Sequence, residues 1–173
     1  MIQQDEVRFR AVLGHYTTGV AVIAGLAESG PVGLAVNSFT AVSLRPLLVS
    51  FCVSHSSSSW RMVRHGGRFS VNVLSEHQRE LCQRMATPAQ DKFEGVDWFL
   101  SAQGIPGLSG AIARLECTTD VVYPAGDHDI VIAAVDNLEA DEGPNGPLVF
   151  YRGDYGRFSP FERSPICQLR PDS

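Results

Sequence analysis

Short apolar runs rich in β-branched residues, cut apart by turns bearing glycine and proline, recur along almost the whole chain. Residues 19–25 and 32–38 read as two strands around the turn Glu28-Ser29-Gly30-Pro31, and 47–53 as a third after the turn at Arg45-Pro46. Residues 69–74 alternate and read as a fourth. Two long β segments, 111–123 and 130–139, are joined by Pro124-Ala125-Gly126-Asp127-His128, and a short one follows at 148–151. Helical signals are fewer. Phe9, Val12, Leu13 and Tyr16 share one face of a helix expected over 5–16. Ser57 suits the N-cap of a second helix that Gly66-Gly67 would stop. Ser75-Glu76-His77-Gln78 has the spacing of a capping box and predicts a third helix over 76–86. Residues 91–110 read as irregular. Many strands with two to three helices predict a mainly β fold, an antiparallel barrel with helical decorations.

The chain has 173 residues and is 44% apolar, enough for one domain with a real core. A net charge of −5 without a basic block excludes nothing small but gives nucleic acid no footprint. No run approaches the ~18 apolar residues of a membrane span, and the polar, acidic start is unlike a secretory signal, so a cytoplasmic protein is expected. Cys52, Cys82, Cys117 and Cys167 form no Cys-x-x-Cys pair and read as reduced thiols rather than metal ligands. No Gly-x-Gly-x-x-Gly follows a strand, and no Walker-type lysine loop is present, which argues against a dinucleotide-type Rossmann fold.

Two segments carry chemistry. In 33–44 an apolar strand breaks into Asn37-Ser38-Phe39-Thr40, small hydrogen-bonding residues that let the backbone approach a flat polar ligand. In 54–60 five serines precede the second helix. Hydroxyls and free N–H groups at a helix N-terminus favour a phosphate. Simple N-capping needs only one of those serines, and an Asn-Ser turn is the plain alternative for the first segment.

An ordered set of pieces, Thr18-Gly19-Val20-Ala21-Val22, Val36-Asn37-Ser38-Phe39-Thr40 with Val42-Ser43-Leu44, Ser57-Ser58-Ser59-Trp60, Phe69-Ser70-Val71-Asn72-Val73-Leu74, Asp91-Lys92-Phe93, Leu115-Glu116-Cys117, Gly126-Asp127-His128 and Gly153-Asp154-Tyr155-Gly156, resembles the flavin reductase family with the FMN-binding split-barrel fold. The resemblance runs from about Phe9 to Phe158 and is to the short reductases that supply reduced flavin to two-component monooxygenases. Ala35 stands where the family commonly has Thr, and Arg45-Pro46-Leu47 where Asp-Pro-Pro is usual. The resemblance implies an antiparallel split barrel of Greek-key type over 1–158 with an extended tail at 159–173.

It also implies roles. Val36, Asn37, Ser38, Phe39 and Thr40 would run along the flavin ring edge, and Ser54, Ser57 and Ser58 would hold its phosphate. Lys92 would lie near the phosphate or ribityl chain, Phe93 on the nicotinamide side, and Tyr155 near the flavin or a subunit contact. His128 would stand beside nicotinamide and flavin as the catalytic residue. The plain alternatives are a surface Lys92, core roles for Phe93 and Tyr155, and a turn histidine oriented by Asp127. His15 and His55 lie near motif segments and are kept as secondary candidates, while Trp60 and Trp98 read as core. The implied activity is hydride transfer from NADH or NADPH to FMN or FAD, in a homodimer that serves a partner monooxygenase, without metal. The rival readings are a flavin store or sensor without turnover, and a split-barrel oxidase acting on a pyridoxine phosphate.

Overall fold

A computed structural model describes residues 2–89 and 91–161. The chain runs α1 (Ile2–Leu13), β1 (Thr18–Gly19), β2 (Ala21–Ala27), β3 (Gly30–Val36), β4 (Thr40–Leu44), β5 (Leu47–Ser54), α2 (Ser58–Gly66), β6 (Arg68–Val73), α3 (Arg79–Ala86), β7 (Trp98–Leu100), β8 (Pro106–Leu108), β9 (Ala113–Ala125), β10 (His128–Ala140), β11 (Leu148–Tyr151) and β12 (Asp154–Arg157). Seven strands form one antiparallel sheet in the order β3-β2-β6-β9-β10-β5-β4. A three-stranded sheet, β1-β11-β12, and the hairpin β7-β8 complete the β structure. The mainly β, antiparallel class with three helices is as expected.

The sheet curls because its inner face must be covered. Phe51, Phe69 and Trp60 meet edge to face, with ring centroids 5.3, 5.7 and 6.0 Å apart. Val32, Leu34 and Val36 of β3 pack in the same buried cluster as Val49, Phe51 and Val53 of β5. Strands far apart in the sheet order are thereby brought face to face, and the gap between them is the split. Ser38 bridges it: its Oγ accepts from Cys52 N at 2.8 Å and donates to Cys52 O at 3.2 Å. A second core lies outside the curl, where Val22, Leu74, Cys82, Met85 and Phe93 gather under α3.

Four expectations are corrected. The first helix ends at Leu13 rather than Tyr16, because His15 N and Tyr16 N bond to Val12 O and Leu13 O and tighten the turn after Gly14. The apolar face shared by Phe9, Val12, Leu13 and Tyr16 is uncovered, all four being more than half exposed. Helix α3 starts at Arg79, not Glu76. Ser75 is bridged to Pro147 and Glu76 N bonds to Gly146 O, so the backbone there is already committed to a sheet-like pairing. Gln78 Oε1 still accepts from Ser75 N at 3.0 Å, half of the capping box, while Gln78 N donates to the Ser75 carbonyl rather than to its hydroxyl. Residues 91–110 hold the hairpin β7-β8 rather than an irregular loop, and Asp154–Arg157 forms an additional strand. Of the expected tail 159–173, residues 162–173 lie outside the described residues.

Candidate functional site

The split opens into a cleft of about 350 Å3. One wall is the end of β3 and the residues after it, Leu34 to Ser38; the other is the end of β5 with Ser54 and Ser56 to Ser59. Met85, Ala86, Pro88 and Lys92 close one side, and His128 stands at the other. Eight of the twelve predicted site residues therefore meet in one place: Val36, Asn37, Ser38, Ser54, Ser57, Ser58, Lys92 and His128.

The serine cluster is ordered before any ligand arrives. Ser54 Oγ lies 2.8 Å from Ser56 Oγ, and Ser56 N donates to Ser54 Oγ at 3.2 Å. Ser57 caps α2, its Oγ accepting from Trp60 N at 3.2 Å. An N-terminal turn leaves the N–H groups of Ser58 and Ser59 without helical partners, beside a partial positive charge from the helix dipole. Ser57 serves as cap with its acceptor lone pair, so its O–H remains a donor.

Lys92 is not the ordinary surface lysine that the sequence also allowed. It is 9% exposed, and its Nζ donates to Met85 O at 2.9 Å and Gly33 O at 3.3 Å. Burial holds its amine below the ordinary value of 10.5. No carboxylate pairs with it among the described residues. A buried ammonium with only carbonyl partners is incompletely compensated, and an anion in the cleft would complete it.

His128 opens β10, with Gly126 and Asp127 as the two-residue turn that follows β9. Gly126 adopts φ +67°, which a side chain would resist. The register sets His128 opposite Ser54. Its Nδ1 lies 2.7 Å from Asp127 Oδ1. A carboxylate only accepts, so Nδ1 carries the proton and Nε2 is the nitrogen left to take or give one. That hydrogen bond, more than the His128 charge, holds the Asp127 carboxyl below its usual range. Next to it, His55 Nε2 lies 3.0 Å from Asp129 Oδ1, which occupies this secondary candidate. His15 bonds to Ala11 O on α1 and contributes nothing to the cleft.

Four predicted residues sit elsewhere. Phe93 is buried in the second core, edge to face with Trp98 at 6.2 Å and beneath Gly33, where an added Cβ would meet its ring at 3.2 Å. Phe39 packs on the first core. Thr40 lies on β4, its Oγ1 3.4 Å from Ala41 O. Tyr155 lines a smaller adjoining pocket of about 210 Å3, where its hydroxyl accepts from Cys82 Sγ at 3.3 Å and burial pushes its pKa up to about 12. That pocket shares the wall Ala35-Val36-Asn37 with the cleft. Ser38, although in the cleft, has committed its hydroxyl to Cys52.

Sequence reasoning missed Cys52 and the α3 residues Met85 and Ala86 as lining residues. Nothing local marks them; curling of the sheet and packing of α3 on β3 bring them there. Cys52 supplies a test of this geometry. It is exposed, whereas Cys82 and Cys117 are buried, and burial pushes the Cys117 thiol up to about 12. Brief iodoacetamide treatment at pH 8 is expected to label Cys52 and spare Cys82 and Cys117, with added FMN slowing the labelling. Peptide mass spectrometry reads the result. Labelling of Cys52 at the same rate with saturating FMN would mean that flavin binds elsewhere.

Among the described residues no group of three or more His, Cys, Asp or Glu side chains is placed to hold a metal ion, and no helix is long and apolar enough to cross a membrane.

Residues 13–159 match the model of the flavin reductase like domain. The reductase subunit HsaB of a flavin-dependent monooxygenase from Mycobacterium tuberculosis is 43% identical over 164 residues, covering 94% of this chain and 88% of HsaB. The crystal structure of nitrilotriacetate monooxygenase component B from Mycobacterium thermoresistibile superposes with a TM-score of 0.91 at 40% identity, covering 99% of this chain and 96% of that one. The NADH:FAD oxidoreductase SgcE6 of Streptomyces globisporus, in complex with NAD and FAD fragments, superposes with a TM-score of 0.84 at 35% identity, covering 91% and 94%.

Proposed function

The chain belongs to the flavin reductase like domain family, and from that premise we propose that it is an NAD(P)H:flavin oxidoreductase whose reduced flavin feeds a separate monooxygenase. The observation that carries the site assignment is the pairing, across one cleft, of a buried Lys92 that has no carboxylate partner among the described residues with the hydroxyl-rich N-terminus of α2. Both groups suit a phosphate. A bound flavin supplies the hydride acceptor, and the reductant is NADH or NADPH. The chain's own residues do the rest. Ser57, Ser58 and Lys92 hold the phosphate, and Val36, Asn37 and Ser38 form the wall along the ring edge. Backbone donors on that wall oppose the negative charge that grows on the ring during reduction. His128 exchanges a proton at Nε2 while Asp127 holds Nδ1. Protein groups thus supply orientation and electrostatics while the cofactors carry the bond making.

The phosphate role has a direct check. Ser57→Ala combined with Ser58→Ala is expected to weaken FMN by at least about tenfold and riboflavin hardly at all, since one lost charge-assisted bond is worth about 1.5–3 kcal/mol and about 1.4 kcal/mol is already tenfold. Fluorescence titration of both flavins measures this. Equal weakening would assign those serines to helix capping alone.

We read residues 1–158 as the reductase domain, and the protein as a cytoplasmic homodimer. The uncovered apolar face of α1, with Phe9, Val12 and Leu13, supports a second copy as its cover. Sedimentation equilibrium should give twice the chain mass of 18.8 kDa. A monomer at micromolar concentration would refute the dimer.

Overall activity is tested by NADH and NADPH oxidation with FMN, FAD and riboflavin in turn. Flavin binding without oxidation of either nicotinamide would replace the reductase with a flavin store or sensor.

A further inference from the structure

Ser58 belongs to two cavities. It lines the cleft, and it also lines a groove of about 660 Å3 on the outer flank of α2. From Ser58 the helix surface continues through Arg61, Met62 and His65, which share one face at i+3, i+4 and i+7. The facing wall is the end of β2, Leu26 and Ala27, with Glu28 and Ser29 of the β2–β3 turn. The flank is about 13 Å long by the rise of a nine-residue helix.

Its chemistry is mixed. Leu26 and Met62 are 43% and 39% exposed, an apolar strip left open to solvent. Arg61 and His65 border it on the helix, and Glu28 offers acceptors on the turn. Arg61 stands one turn beyond Ser58. Its side chain makes one long hydrogen bond among the described residues, Nη1 to His55 O at 3.4 Å. Most of the five donors of that guanidinium fork remain for another acceptor.

A phosphate held at Ser57 and Ser58 therefore has two ways onward, inward to the cleft and outward to this groove. We propose that the groove takes the adenosine half of a flavin dinucleotide, with Arg61 on the second phosphate, so that the protein prefers FAD to FMN. The inference rests on the flavin reading of the cleft. Met62 and His65 offer a flat, polarisable surface for a purine, and Glu28 suits its exocyclic amine. An adenosine half belonging to the nicotinamide substrate is the competing occupant.

The experiment is fluorescence titration of the full chain with FAD, FMN and riboflavin, for the unmodified protein, Arg61→Ala and Met62→Glu. Both positions are exposed, so the fold should persist, and circular dichroism checks it. The unmodified protein should bind FAD at least about fivefold tighter than FMN, and each variant should bring that FAD-to-FMN ratio down to about one. Equal affinities for FAD and FMN in the unmodified protein overturn the proposal. So do equal losses for both flavins in the variants, and so does an effect confined to the KM for NADH or NADPH. Failure of the unmodified protein to bind any flavin sinks the cleft reading, and this inference with it.

Discussion

Replacing His128 with alanine is expected to lower turnover with NADH about a hundredfold and to change the flavin dissociation constant less than about threefold. The asymmetry follows from where His128 stands. The groups proposed to hold the phosphate lie on α2 and at Lys92, and none of them bonds to the imidazole. His128 is itself half-exposed at the mouth of the cleft, so its loss opens no core cavity. What it removes is a proton-exchanging nitrogen held in one tautomer by Asp127. A positioned acid–base group contributes about 10²–10⁴ in rate. Stopped-flow reduction of bound flavin, with flavin titration alongside, separates the two quantities. Losses of equal size would make His128 a flavin ligand or a structural turn residue. His128→Gln keeps a hydrogen-bonding side chain without acid–base capacity, and should be as slow as the alanine variant.

Phe51→Ala should destabilise the fold by about 3–5 kcal/mol, against a total of about 5–15 kcal/mol for an ordinary domain. Phe51 is fully buried and packs edge to face against both Trp60 of α2 and Phe69 of β6. Truncation there leaves a cavity between the serine-capped helix and the sheet. It also loosens the packing under β5, whose Cys52 is the partner of Ser38 across the split. Flavin affinity should fall with stability. Phe161→Ala is the control, since Phe161 is 98% exposed and its loss should change stability by less than about 0.5 kcal/mol. Urea denaturation with an unchanged slope measures both. A cost below about 1 kcal/mol at Phe51 would mean that the core collapses around the gap and that α2 is not held by this ring.

Local signals marked many of the residues that line the candidate cleft. The serine run and its Ser57 cap are a contiguous motif whose conformation is decided within a few residues, and α2 begins and ends where they say. The turn at Gly126-Asp127 was legible for the same reason: a glycine at positive φ between two β runs leaves few alternatives. Elements held by distant partners were not legible. The β7-β8 hairpin hangs on β6, with Ser70 Oγ donating to Pro106 O and Leu108 N donating to Asn72 Oδ1 at 2.9 Å. Its two strands have three residues each, too few to show a period. The start of α3 was misplaced because Ser75 and Glu76 pair with a loop some seventy residues away.

By itself the sequence determined the antiparallel β class, the second helix with its cap, and the residue types that can hold a phosphate and move a proton. All of these depend on neighbours a few positions apart, through dihedral preference, alternation and turn chemistry. Tertiary structure alone decided that Lys92 is buried without a carboxylate, that Phe93 packs beneath Gly33 instead of facing the cleft, and that Tyr155 belongs to the adjoining pocket. Each depends on how the sheet curls to close its core and on where α3 settles against β3. Burial and the pairing of charges are properties of surfaces brought together across the chain, and a linear pattern holds no record of those distances.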